Sequence, residues 1–160
     1  MNINSLFPKQ AELDKYIYEN NNVTDKEVFE RKIVAFLDEL FELANELQFF
    51  KYWKKEIEID RQQSLEEYID VVHFALSIAI SLDISSHEFE PKEVIDLNKR
   101  FLGITNLATV LSVSKEPEHA TALLNNVLNL GHQLGLDEDT IIKAYNRKNE
   151  VNHKRQDGGY

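Results

Sequence analysis

The chain contains no cysteine, so disulfide staples and thiol chemistry are both excluded and the fold must hold by packing alone. Glycine and proline are scarce, five and three in 160 residues, and β-rich runs are few, which favours an all-helical fold. No uninterrupted apolar run reaches the roughly 20 residues needed to span a bilayer. The longest candidate, Ile69 to Leu82, is broken by Asp70, His73 and two serines. The opening MNINSLFPKQ lacks the basic, apolar and small-residue order of a signal peptide. A soluble, cytoplasmic protein without a membrane contact is expected. Positive charge is also in deficit, with 18 Lys and Arg against 28 Asp and Glu and a net charge of −10. Such a balance argues against direct nucleic-acid binding, which needs a basic surface. A small anionic substrate stays open if divalent cations stand between protein carboxylates and phosphate oxygens.

What is there reads as helices. The length suits a single domain over residues 1–160. Pro8 opens a short helix from Lys9 to about Asn20, which the asparagine run at 20–22 breaks. Thr24 and Glu27 have capping-box spacing and start a long helix to about Phe49. Phe50 to Gln63 loses the helical period and reads as a loop. Ser64, with Glu67 three residues on, is expected to cap a central helix running to Leu82, apolar on nearly every side. A fourth helix is predicted from Pro91 to about Val113 and a fifth from Pro117, ended by Gly135. Asp137 caps a sixth, to about Gln156, closed by Asp157-Gly158-Gly159. Six helices with short connections make a bundle.

The central helix holds an anomaly, because Asp70 lies between Ile69 and Val71 inside the apolar run. A buried carboxylate without a partner costs several kcal/mol or takes up a proton. Glu67 lies one turn before it, and Glu39 and Glu42 form a similar pair on the preceding helix. Residues at i and i+3 share a face, so each pair sets like charges side by side, and a bridging cation relieves them. Oxygen-only ligands favour hard cations, Mg²⁺ first and Mn²⁺ as an alternative. The same residues also admit a plainer account: a cap, a solvated face, and an Asp70 paired with a lysine or with His73. No histidine has an H-x-x-x-H partner, and His73 is expected to be a satisfied core or interface residue.

The C-terminal YNRKNEVNHKRQDGGY reverses the overall charge. On a helix, Lys148, Asn152 and Arg155 form one stripe of cation, amide and guanidinium, suited to phosphate oxygens and a polar sugar or base edge. The plainer account is a solvated helix end complementing the helix dipole. Lys51, Lys54 and Lys55 around Trp53 make a second basic and aromatic patch.

Together, ELFE at 39–42, EYID at 67–70, FKYWKK at 50–55, EEYIDVVHFALS at 66–77 and KNEVNHKRQDGGY at 148–160 resemble the all-α dimeric dUTPases of the MazG-like nucleoside triphosphate pyrophosphatase superfamily. The resemblance spans almost the whole chain, and its C-terminal string is the most specific part. It implies a homodimeric MazG-like bundle that hydrolyses dUTP to dUMP and pyrophosphate, lowering dUTP and supplying dUMP for thymidylate synthesis. It also implies Mg²⁺ held by Glu39, Glu42, Glu67 and Asp70. Lys148, Asn152, Arg155 and Tyr160 match phosphate and nucleotide contacts, with residues 157–160 as a tail over the site. Gln10 and Phe74 match positions near the uracil, and Lys51 and Trp53 fall in a shared motif without an assigned role. No motif carries over between Pro91 and Gly135, which is expected to be scaffold and dimer surface. Candidate further ligands are dUDP and a phage-type repressor protein. The competing readings are a pyrophosphatase for another nucleotide such as dCTP, and a helical protein-binding module without turnover.

Overall fold

The computed structural model describes residues 1–159, so Tyr160 lies outside the described residues. Six α-helices account for its architecture, and no strand occurs among the described residues. A 3₁₀ turn (Asn4–Leu6) leads into α1 (Phe7–Asn21), followed by α2 (Asp25–Leu47) and α3 (Arg61–Ser81). Then come α4 (Leu97–Ser114), α5 (Pro117–Gln133) and α6 (Glu138–Asp157). The all-helical bundle inferred from composition and periodicity is therefore the observed one.

α3 is the axis of the molecule. It packs against α1, α2, α5 and α6, most extensively against α2, while α4 closes the far side on α2 and α5. Tyr68, Ile69, Val71, Val72, Ala75, Leu76, Ile78 and Ala79 are all essentially inaccessible, as an apolar surface around the whole circumference requires. α2 is instead amphipathic, burying Ile33, Phe36, Leu40 and Leu43 while leaving Val34 and Phe41 exposed.

Local signals set most boundaries. Thr24 forms the expected capping box with Glu27. Asn22 takes the left-handed conformation that ends α1, and Gly135 (φ +80°) does the same work beyond α5.

Two expectations fail. Ser64 does not cap α3. Asp60 does, its carboxylate accepting from the main-chain N–H groups of Gln62 and Gln63 at 2.9 and 3.1 Å. Ser64 sits inside the first turn and donates back to the Asp60 carbonyl at 2.7 Å. Both residues are good caps, but an ionised carboxylate at the positive end of the helix makes the stronger one. The second failure is α4, which starts at Leu97 rather than Pro91, capped by Asp96 at the Lys99 N–H (3.2 Å).

The stretch from 84 to 96 is held outside any helix by two asparagines one turn apart on α5. Asn125 accepts from the Glu90 N–H and donates to the Glu90 carbonyl, both at 3.0 Å. Asn129 donates to the same carbonyl at 2.9 Å and accepts from the Lys92 N–H at 2.6 Å. Side-chain amides thus replace the helical bonds this segment forgoes. Asn129→Ala leaves a part-buried N–H without its partner and weakens the hold on a carbonyl, so urea unfolding should show a loss of about 1 kcal/mol. Unchanged stability would show that the clamp is decorative.

Candidate active site

Glu39 and Glu42 project from α2 toward α3, where Glu67 and Asp70 lie one turn apart. Carboxylate oxygens of Glu39, Glu67 and Asp70 all lie within 4.8 Å of one another. Glu42 stands at the solvent edge, close enough to Glu67 that the Glu67 charge helps push its acidity down, after the loss of hydration. Of the four predicted carboxylates, three converge and the fourth adjoins them.

The electrostatics record the crowding. Burial, followed by the charges of Asp70, Glu42 and Glu67, pushes the Glu39 carboxyl up to about 7. Asp70 is also raised, chiefly by burial, although Lys148 opposes the shift. The Lys148 ammonium approaches Asp70 Oδ2 to 2.5 Å, and no other ion pair to the cluster occurs among the described residues. Lys148, with Arg155 farther off, stands against four carboxylates, which leaves a net negative pocket of hard oxygen donors. Those donors fit a divalent ion such as Mg²⁺ or Mn²⁺, and their mutual repulsion is what such an ion would relieve.

Glu39 and Asp70 also belong to the wall of a cavity of about 220 Å³. α1 contributes Gln10 and Asp14, α3 contributes His73, Phe74 and Ser77, and α6 contributes Asn152, Arg155 and Gln156. Larger hollows of about 510 and 710 Å³ lie elsewhere and lack the carboxylate cluster; the first shares Asp14 with this wall. Convergence of chemistry, rather than size, places the site.

Behind the wall runs a buried polar network. Gln10 Nε2 donates to Asp14 Oδ1 at 2.7 Å, while Gln10 Oε1 accepts from the Tyr145 hydroxyl at 2.6 Å and lies 2.8 Å from His73 Nδ1. The His73 and Tyr145 rings stack at 3.9 Å. Asp14 Oδ2 accepts from the Ser77 hydroxyl at 2.7 Å and lies 3.8 Å from the buried Lys32 ammonium. Lys32 is held in turn by Asp25 and Ser81, each at 2.6 Å. Burial, aided by the Lys148 charge and opposed by the Tyr145 carbonyl, holds His73 down to about 3, so its ring is neutral. Its Nε2 has no partner, so the expectation of a satisfied histidine is met on one nitrogen only.

Gln10, Glu39, Asp70, Phe74, Asn152 and Arg155, all singled out in the sequence, line the cavity, with Lys148 and Glu67 adjoining through Asp70. Lys51 and Trp53 are not in its wall. Lys51 donates to the carbonyl and side chain of Asn45 at 3.2 and 2.6 Å, and Trp53 is exposed edge-on to Phe50 and Tyr52. The sequence reading missed Asp14, Ser77 and Gln156. No sequence signal singles out Asp14, which follows Glu12 and Leu13 and precedes Lys15 in a largely polar helix.

Raised carboxylates make stability fall with pH. The folded state keeps a proton on Glu39 up to about 7, whereas the unfolded chain loses it near 4.5, so rising pH through that window favours unfolding. Glu39→Gln, in chelator, should therefore stabilise the protein by about 1 kcal/mol near pH 8, a value discounted for solvent screening of a half-exposed group. The gain should fade toward the unfolded value of 4.5. Equal melting profiles for the two proteins across the range would contradict the crowding.

A family model described as dUTPase matches residues 2–160, essentially the whole chain. No curated protein matches the chain.

Proposed function

The chain belongs to the dUTPase family and is a dUTP diphosphatase; from that premise we propose that Glu39, Glu42, Glu67 and Asp70 hold Mg²⁺ for the hydrolysis of dUTP to dUMP and pyrophosphate. The observation that carries this reading is the carboxylate trio within 4.8 Å, two of whose members line a cavity whose wall also holds Gln10, Phe74, Asn152 and Arg155. A divalent ion bound there supplies neutralisation of the triphosphate and a more acidic attacking water. The chain's own residues supply the rest. Lys148 and Arg155, on one face of α6, stabilise charge on the phosphate chain as the bond to the leaving group breaks. Asn152, two turns of helix from Tyr145, faces the sugar or base, and Phe74 covers the face of the uracil ring. Gln10 reads the base edge from the cavity wall. The C-terminal end of α6, where Asp157 accepts from the Tyr16 hydroxyl, borders the nucleotide in this reading and helps to exclude bulk water.

The expected outcome is calorimetric Mg²⁺ binding that disappears in Asp70→Asn, with turnover falling by about 10²-fold or more. If variant and wild type bind Mg²⁺ alike, the metal assignment is wrong. Steady-state rates on a dNTP panel should favour dUTP; a preference for dCTP would transfer the reading to another pyrophosphatase.

The functional unit is a homodimer. Val34 and Phe41 on the outer face of α2, at 67% and 53% exposure, leave apolar surface that a second copy would cover. Sedimentation at micromolar concentration should give twice the mass of 18.6 kDa, and a stable monomer would refute this.

A further inference from the structure

Every group around the Gln10 amide can reverse its hydrogen-bonding role except one. A tyrosine hydroxyl both donates and accepts, and a neutral imidazole can carry its proton on either nitrogen. Gln10 itself can rotate its amide by half a turn. Ionised Asp14 can only accept; burial pushes its carboxyl up, and the Lys32 ammonium at 3.8 Å together with the Ser77 and Gln10 donors at 2.7 Å opposes that and compensates the charge. The sense of the network follows from this fixed member and from the Tyr145 carbonyl, which can only accept from the protonated nitrogen of the His73 ring. Asp14 requires Nε2 of Gln10 on its own side, so Oε1 faces Tyr145 and His73. Nδ1 of His73, 2.8 Å from an oxygen that can only accept, must then carry the ring proton. Nε2 of His73 is left with a bare lone pair, consistent with its lack of any partner. Gln10 keeps a second N–H that no bond among the described residues uses.

We propose that Asp14 is a positioning residue for base choice: it fixes the polarity of the cavity wall so that Gln10 offers a donor and His73 Nε2 an acceptor. That pair complements the imide edge of uracil, where O4 accepts and N3–H donates. It opposes cytosine, whose 4-amino group donates and whose N3 accepts. Thymine shares the uracil edge, so this device does not read the 5-position. The His73 nitrogen is buried in this nucleotide-free form, so the proposal requires the base to displace what covers it. The inference rests on dUTP as substrate and concerns a carboxylate that touches neither the metal cluster nor the phosphates.

Asp14→Asn substitutes a group that can donate. Gln10 is then free to turn over, His73 can move its proton to Nε2, and the wall loses its fixed sense. The preference for dUTP over dCTP, as a ratio of kcat/KM, should fall at least about 10-fold, mainly through KM. The dUTP to dTTP ratio should stay unchanged, which a merely loosened site would not produce. Histidine ¹⁵N spectra of the nucleotide-free protein, with His73→Gln used for assignment, give an independent readout. They should show His73 protonated at Nδ1 in wild type and shifted toward Nε2 in Asp14→Asn. A wild-type His73 protonated at Nε2 overturns the proposal even if the variant fails to fold. So does an unchanged dUTP to dCTP ratio in a folded variant. Wild type turning over dCTP in preference to dUTP would instead defeat the substrate reading, while the tautomer still reports on Asp14.

Discussion

Repulsion between carboxylates at the crossing of α2 and α3 is the constraint on which the rest of the molecule depends. Packing puts Glu39, Glu67 and Asp70 within reach of one another at the edge of an apolar core, where loss of hydration makes each charge more costly. A fold selected for stability alone would place leucine at such a site, since exchanging buried charge for well-packed apolar groups is often neutral or better. The surrounding structure instead tolerates the strain. Lys148 comes in from α6 to meet Asp70, and Glu39 retains its proton far above the usual carboxylate range. A site preloaded with negative charge in this way could hold a divalent cation, and under the reading proposed above that is how so acidic a protein would meet a polyanion.

The same helices that create the crowding position the recognition surface. α3 carries Asp70 toward the acidic cluster, and His73 and Phe74, one turn later, toward the cavity. α6 does likewise, meeting Asp70 through Lys148 and presenting Asn152 and Arg155 beyond it. α1 supplies Gln10 and Asp14 to the cavity wall, with the Lys32 charge behind them. The acidic cluster and the amide-bearing wall therefore occupy separate points along shared rigid rods.

Much of this was legible in the chain because the relevant signals are local. An aspartate inside an apolar helix demands a partner wherever the helix goes, so Asp70 announced a site before its neighbours were known. Capping chemistry placed the starts of α2 and α6, and left-handed breakers placed the ends of α1 and α5. What escaped was set by contacts distant in sequence. Pro91 looked like a helix start because nothing nearby says that Asn125 and Asn129 will claim the main chain of Glu90 and Lys92. Ser64 lost the cap to Asp60 by a margin that spacing cannot rank. Asp14 was hidden for the opposite reason: in a chain rich in acidic residues, only burial beside Lys32 distinguishes it.

α6 has a geometric consequence of its own. Lys148 and Arg155 are seven residues apart on one unbroken helix, which fixes their separation along its axis at about 10 Å. Neither contact can slide without dragging the other, so the rod works as a calliper. If, as proposed, both grip one ligand, a ligand of the wrong span engages one jaw and misses its counterpart, and length is then read by the backbone rather than by any single side chain.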